Sequence, residues 1–221
     1  VFYPVIKDFY PSANGNWDAS MLQTMLAMGV YLDDRAMFDR AVDYFLNGKG
    51  NGAIGNYLIP TGQCQETGRD QAHTQMGLDF LACTAEIAWN QGVDLYGALD
   101  NRLLTGFEYT AKYNLGYEVP YEPYRSFEGR YHYESISDTS RGRLRPMYEK
   151  VLNHYEGRRG LDATFTRMAA MKLRETSVAG EGQVQDVRSQ NARNRRGRDG
   201  TRNRRSRRGD SSALETLMFS G

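Results

Sequence analysis

The chain has 221 residues, with 28 Lys and Arg against 27 Asp and Glu and a formal net charge of +1. That length suits one domain, or one domain with an appendage, and 40% hydrophobic residues can fill a sizeable core. Two cysteines exclude a disulfide-rich scaffold, three histidines with no two at ligand spacing argue against a dedicated zinc site, and no apolar run approaches the roughly 18 residues of a membrane span.

The opening, Val1 to Gly15, is aromatic and contains proline, and reads as a loop or the end of a preceding helix. Asn16 is a good N-cap type, and Met21, Leu22, Met25, Leu26 and Met28 follow at helical spacing until Gly29 stops the run. Asp33 is placed to cap a second helix with Met37, Phe38, Ala41, Val42, Phe45 and Leu46 as its apolar stripe, which makes a helical hairpin. A Gly- and Asn-rich loop between Asn47 and Gly68 is too long for a plain connector. Arg69 to Asn90 reads as a long helix with Met76, Phe80, Leu81, Cys83, Thr84, Ile87 and Ala88 inward. Leu95 to Leu115 pairs with it through Leu99, Leu103, Leu104, Phe107 and Ala111. Residues 116–142 form an irregular stretch crowded with Tyr117, Tyr121, Tyr124, Phe127, Tyr131 and Tyr133. A third hairpin, Arg143–Tyr155 and Leu161–Leu173, turns at Gly157 and Gly160.

Beyond Arg174 the pattern dissolves. Residues 181–221 carry ten arginines and five acidic side chains, a net of +5, against −4 over residues 1–180. Arg188 to Arg208 is nearly free of apolar residues and reads as disordered. The short LETLMF run is placed to dock on the helices. No run alternates as a strand would. Serial hairpins with long loops between them predict an all-α fold, an incomplete (α/α) toroid whose loops gather at a rim. Residues 1–174 would form it and 175–221 would be a basic tail. No signal peptide opens the chain, which starts at Val1 without a Met, and the expectation is of a fragment lacking N-terminal helices.

The third helix carries the sharpest chemical signal. Its first turns, GRDQAHTQ, are polar on every side, and Arg69 and His73, four apart, share a face. A guanidinium and an imidazole at a helix N-terminus make a site for a carboxylate. A capped helix start with a buried salt bridge from Arg69 to Glu66 or Asp70, and a structural His73, accounts for the same residues. Asn14 and Asn16 flank Gly15 directly before Trp17, so that Asn16 is either a cap or an amide directed into the same cavity, with Trp17 as its wall. The stretch YEPYRSFEGRYHYES is an exposed loop able to present Arg125, Arg130, Tyr131, His132 and Tyr133. A Tyr beside an Arg has its pKa of about 10 lowered toward that of a usable base. GxSxG, P-loop, GxGxxG and HExxH motifs are absent from the sequence. Cys64 and Cys83, roughly 20 Å apart if the helix is straight, are not expected to form a disulfide.

The segments NGNWDASMLQTMLAMGVYLDD, GNGAIGNY and above all QCQETGRDQAHTQMGLDFLA followed by EIAWNQGVDLY resemble the alginate-lyase-type polysaccharide lyases over about residues 1–174. The resemblance implies an α/α toroid that cleaves uronic-acid polymers, mannuronate-rich alginate or β-1,4-glucuronan, by β-elimination with no metal and no cofactor. It further implies Asn16 and His73 as neutralisers of the substrate carboxylate. Tyr131 becomes the base and acid, with Tyr124 and Tyr133 as competitors, and Arg125 lowers its pKa. Trp17, Arg69, Gln65, Gln75, Tyr124 and Tyr133 would hold substrate. The implied partner is an anionic uronic-acid polysaccharide, with no membrane, nucleic acid reached by the basic tail at most, and a periplasmic or secreted location. Three other readings remain: a uronan-binding remnant without turnover, a toroid glycoside hydrolase using paired acids such as Glu66 and Asp70, and nucleic-acid binding by the tail. The Arg-rich tail matches nothing in the family pattern.

Overall fold

A computed structural model describes residues 3–177. The Arg188–Arg208 stretch and the LETLMF run therefore lie outside the described residues. One compact unit runs Val1–Leu173. After a short turn of helix, α1 (Tyr3–Ile6), come α2 (Gly15–Tyr31) and α3 (Arg35–Asn47), then a single turn α4 (Ile54–Tyr57), the long α5 (Gln71–Asn90) and α6 (Ala98–Asn114). A two-stranded ribbon follows, with β1 (Tyr124–Arg125) antiparallel to β2 (His132–Tyr133). Then come α7 (Tyr148–Leu152), which widens into a π-type turn over Asn153–Arg158, and α8 (residues 164–177). The fold is all-α apart from that ribbon, as the periodicity predicts.

The first hairpin forms where expected, but its boundaries differ for reasons of packing. Gly29 does not stop α2: it sits within the helix because the backbone of α3 lies against it, and a Cβ there would stand 2.8 Å from the Phe38 nitrogen. The helix ends two residues later and the chain turns through Asp33, whose φ is 54°. Asp34 caps α3 in place of Asp33, its Oδ1 accepting from the Met37 N–H at 2.9 Å. Phe38, Ala41 and Phe45 are the buried stripe of α3.

Helix α5 packs on α2 and on α6, so it buries a broad arc rather than a single stripe. Leu78, Leu81, Ala82, Thr84, Ala85 and Ala88 are buried, whereas Met76, Phe80, Cys83 and Ile87 are only partly covered. In α6, Leu99, Asp100 and Asn101 take positive φ, and the right-handed helix begins after them. Leu99 is therefore exposed instead of joining the core, while Leu103, Phe107 and Ala111 are buried. The third hairpin starts later than its periodicity suggests, at Tyr148, and turns at Gly160 with φ 64°. The core is one apolar cluster linking all these helices. Both cysteines are free thiols.

Candidate functional site

The short ribbon corrects the reading of residues 116–142 as strand-free. Its register sets Tyr124 opposite Tyr133 and Arg125 opposite His132. The Ser126 N–H donates to the Tyr131 carbonyl at 3.0 Å, and Ser126 Oγ accepts from the Tyr131 N–H at 2.9 Å, closing the turn. Asn51, fully buried, fastens this turn to the opening loop. Its Nδ2 donates to the Ala13 carbonyl at 2.7 Å, its N–H to the Pro11 carbonyl at 2.9 Å, and its Oδ1 accepts from the Phe127 N–H at 2.7 Å. Asp18, also buried, accepts from the N–H groups of Tyr10 and Gly52 and from the Tyr44 hydroxyl. These bonds bring Tyr10, Ala13, Asn14 and Trp17 into one cleft with Arg130 and Tyr131. Trp17 is 57% exposed and stands as a wall of that cleft.

Beside it lies a chain of polar groups built on the loop before α5. The Tyr57 hydroxyl donates to Glu66 Oε2 at 3.0 Å, and Glu66 Oε1 accepts from Arg69 Nη1 at 3.1 Å. Arg69 Nη2 lies 3.1 Å from His73 Nε2, and His73 Nδ1 lies 2.6 Å from Asp70 Oδ2. Asp70 also caps α5 by accepting from the His73 N–H at 2.8 Å. A guanidinium can only donate, so Nε2 accepts and the imidazole proton sits on Nδ1, directed at Asp70. Burial pushes the Glu66 carboxyl up to about 7, opposed by the Tyr57 hydroxyl and the Arg69 charge. The backbone and side chain of His73 hold Asp70 below the usual carboxylate range despite its partial burial. The expected salt bridge from Arg69 to buried Glu66 is thus present, and Arg69 also reaches His73.

Tyr133 closes against this chain. A Cβ on Gly68 would stand 2.3 Å from the Tyr133 Cβ, and the Tyr121 hydroxyl donates to the Tyr133 carbonyl at 2.9 Å. Burial raises the Tyr133 phenol, the Arg69 charge pulls it back, and Glu66, Tyr131 and Asp70 add to the rise. Tyr131, Tyr133 and Arg69 therefore share one electrostatic neighbourhood. The guanidinium over the Tyr131 ring belongs to Arg130, 5.5 Å from its centroid, whereas Arg125 is exposed in β1 opposite His132. The Tyr124 hydroxyl points away, donating to the Asn56 carbonyl, and burial pushes it up to about 12.

Asn16 is not the cap of α2 but lies within its first turn, buried, with Nδ2 3.7 Å from the Met76 sulfur, one turn along α5 from His73. Its Oδ1, the Asn14 Oδ1 and both amide atoms of Gln65 are buried without a hydrogen-bond partner among the described residues. Gln65 Oε1 abuts Gly15, where a Cβ would come within 2.4 Å. Gln75 is engaged differently. Its amide donates to the carbonyls of Gln71 and Arg143 and accepts from the Arg145 N–H and the Tyr148 hydroxyl, so it ties α5 to α7. Glu66 is wholly buried and Asp70 is engaged by His73, which leaves neither acid free for the paired-carboxylate chemistry of a hydrolase. Among the described residues no group of three or more His, Cys, Asp and Glu side chains could hold a metal ion, and no helix is long and apolar enough to cross a membrane.

Sequence reasoning missed Asn51 and Tyr57, and named Arg130 only among the side chains that the tyrosine-rich loop can present. Tyr57 and Asn51 sit in the glycine-rich loop whose length alone signalled function, and Arg130 lies beside the tyrosine singled out.

The sequence pattern of the alginate lyase family matches residues 6–119, more than half of the chain. The chain belongs to the alginate lyase family, and that membership supports polysaccharide lyase activity on an anionic polysaccharide. No curated protein and no solved structure matches it.

Proposed function

We propose that the protein cleaves 1,4-linked uronic-acid polymers, mannuronate-rich alginate or β-1,4-glucuronan, by β-elimination without a metal. The observation that carries this reading is the contact of Arg69 with His73 beside the Tyr131–Tyr133 edge of the cleft. The proton on C5 of a uronate is too weakly acidic to leave while the adjacent carboxylate keeps its full charge. Donors preorganised around that carboxylate let the developing charge spread onto it, an effect of several kcal/mol. In the proposed complex a carboxylate draws the Arg69 guanidinium toward itself and off His73 Nε2. His73, steadied by Asp70 and carrying a proton on the freed Nε2, then donates to the carboxylate together with the Asn16 amide. The open valences of Asn14, Asn16 and Gln65 support that role, since buried amides ordinarily have partners.

Tyr131 removes the C5 proton and returns a proton to the O4 leaving group. One phenol serving both transfers needs H5 and O4 on the same face of the sugar, which mannuronate and glucuronate linkages provide. Tyr131 is favoured over Tyr133 because it lines the open cleft with Trp17 and Asn14, and the neighbouring cation is Arg130 in place of Arg125. Trp17, Arg69, Gln65 and Tyr133 border the sugar. Residues 1–174 are read as the catalytic domain, its hairpins arranged as in an α/α toroid. Family membership favours a periplasmic or secreted setting.

The test is turnover of defined polymannuronate, polyguluronate and polyglucuronate by the full chain, followed by ultraviolet absorbance of the unsaturated product. Unsaturated ends on polymannuronate or polyglucuronate, insensitive to a chelator, are expected, and cleavage of polyguluronate alone would overturn the single-phenol mechanism. New reducing ends without unsaturation would overturn the lyase reading, and calorimetric binding with no bond cleavage would make the protein a binding module.

A further inference from the structure

Away from the cleft, α5 and α7 meet at a cluster that the lyase chemistry does not use. Asp79 and Cys83 lie four apart on α5 and so share a face. Lys150, in the middle of α7, reaches across to both: its Nζ lies 2.7 Å from Asp79 Oδ1 and 2.7 Å from Cys83 Sγ. The Cys83 sulfur itself lies 3.8 Å from Asp79 Oδ1. The carboxylate thus anchors an amine directly against a thiol, at a separation closer than a relaxed N–H···S contact and about what a single bridging oxygen spans. Partial exposure of Cys83 and of the Lys150 side chain leaves the pair open to small oxidants. The other cysteine is the counter-example. Cys64 is fully buried, its thiol pushed up to about 11, and lies in a pocket made by Tyr57, Glu66 and Thr67 with no amine beside it. A thiol that is exposed and set against a cation is the kind that oxidises selectively.

We propose that Cys83 and Lys150 form a redox modification site, a covalent nitrogen–oxygen–sulfur bridge made with dioxygen as oxidant. The step balances as follows. One N–H bond of the neutral amine, the S–H bond and the O–O bond break, and N–O and O–S bonds form to one oxygen atom. The other oxygen leaves as water with the two hydrogens released. Nitrogen and sulfur each lose two electrons, and dioxygen takes up all four. A protonated Lys150 first gives one further proton to solvent. Reduction by two equivalents of a dithiol returns amine, thiol and water. The bridge would clip α7 onto the helix whose first turns carry Asp70 and His73.

The test is intact mass and peptide mapping of the full chain, handled in air or without oxygen, each before and after dithiothreitol. Air-exposed protein is expected about 14 Da heavier, the gain of one oxygen and loss of two hydrogens. Its Cys83 and Lys150 peptides are expected to be joined, and the gain should be lost with dithiothreitol. Cys83→Ser and Lys150→Arg should each abolish the gain, Cys64→Ser should keep it, and the bridged form should melt at a higher temperature than the reduced one. Free Cys83 thiol in air-exposed protein, or mass gains confined to the Cys83 peptide as sulfenic, sulfinic or sulfonic acid, would overturn the proposal. None of these readouts depends on uronan cleavage, so the bridge stands or falls apart from the lyase reading.

Discussion

At the scale of the residue, Tyr131 lines the cleft, Tyr133 lies within the field of Arg69 and His73 contacts Arg69, and single substitutions separate their roles. Tyr131→Phe removes the group that is proposed to move both protons, and kcat is expected to fall about 10²- to 10⁴-fold with KM little changed. Tyr133→Phe, which leaves the cleft-lining phenol in place, should cost less, and the reverse order would hand the proton transfers to Tyr133. His73→Ala also frees Arg69 and Asp70 from their shared partner, and a loss of about 10²- to 10³-fold is expected in kcat/KM. Glu66 gives a separate, pH-dependent signature. Burial pushes its folded carboxyl up to about 7 from an ordinary 4.5, so the folded state holds a proton that the unfolded chain releases. Stability from this group is therefore full below about 4.5 and declines as pH rises to about 7, by something on the order of 3 kcal/mol. Asp70 has the opposite sign: against its partial burial, it is held below the ordinary carboxylate range by His73 and Arg69, so its contribution is lost only at more acid pH. Glu66→Gln should flatten the decline between pH 4.5 and 7 in chemical denaturation, and an unchanged slope would remove Glu66 as its source.

At the scale of the element, what the sequence made legible was local. The α2–α3 hairpin follows from apolar spacing, and the start of α5 follows to within two residues from the polar run GRDQAHTQ with Arg69 and His73 four apart, since a helical face involves neighbours in the chain. The ends of α2 and the ribbon depended on distant contacts. Phe38 lies so close to Gly29 that no side chain fits there, which makes this glycine a packing residue and not a helix stop, and two strands of two residues each have no period to read. Asn51 was invisible for the same reason: its partners lie at Pro11, Ala13 and Phe127. That dependence makes it the sharpest element-scale test. Asn51→Ala leaves a buried carbonyl and a buried N–H without their bonds, at about 1–3 kcal/mol each, and uncouples the turn bearing Tyr131 from the loop bearing Asn14. A lowered melting temperature together with a raised KM is expected, whereas lost stability with KM unchanged would show that the two loops hold the cleft without it. Gly77→Ala probes the floor of the site in the same way. A Cβ there would stand 1.8 Å from the Tyr57 hydroxyl, so the methyl should dislodge Tyr57 from Glu66 and depress both stability and turnover.

At the scale of the whole molecule, charge is distributed against the apparent sign of the chain. Residues 1–180 carry a net of −4, which alone would repel a polyanion. The packing of α2 on α5, with Asn16 beside Met76, brings the first turns of both helices to one end, and each helix start contributes partial positive charge. Arg69 and Arg130 stand at that same end, by the chain of polar groups and by the cleft. Arg130 in the cleft lining, with the helix starts beside it, attracts an anionic polymer over distances near the Debye length, about 10 Å at 0.1 M salt, and orients it as it arrives. The chemistry itself occurs between groups in contact, which salt screens far less. Raising ionic strength should therefore increase KM for a polymeric uronan while kcat holds, and Arg130→Gln should reproduce part of that increase at low salt and weaken the salt dependence. A kcat that falls with salt while KM is steady would place the sensitivity in the bound complex and not in the approach of the polymer.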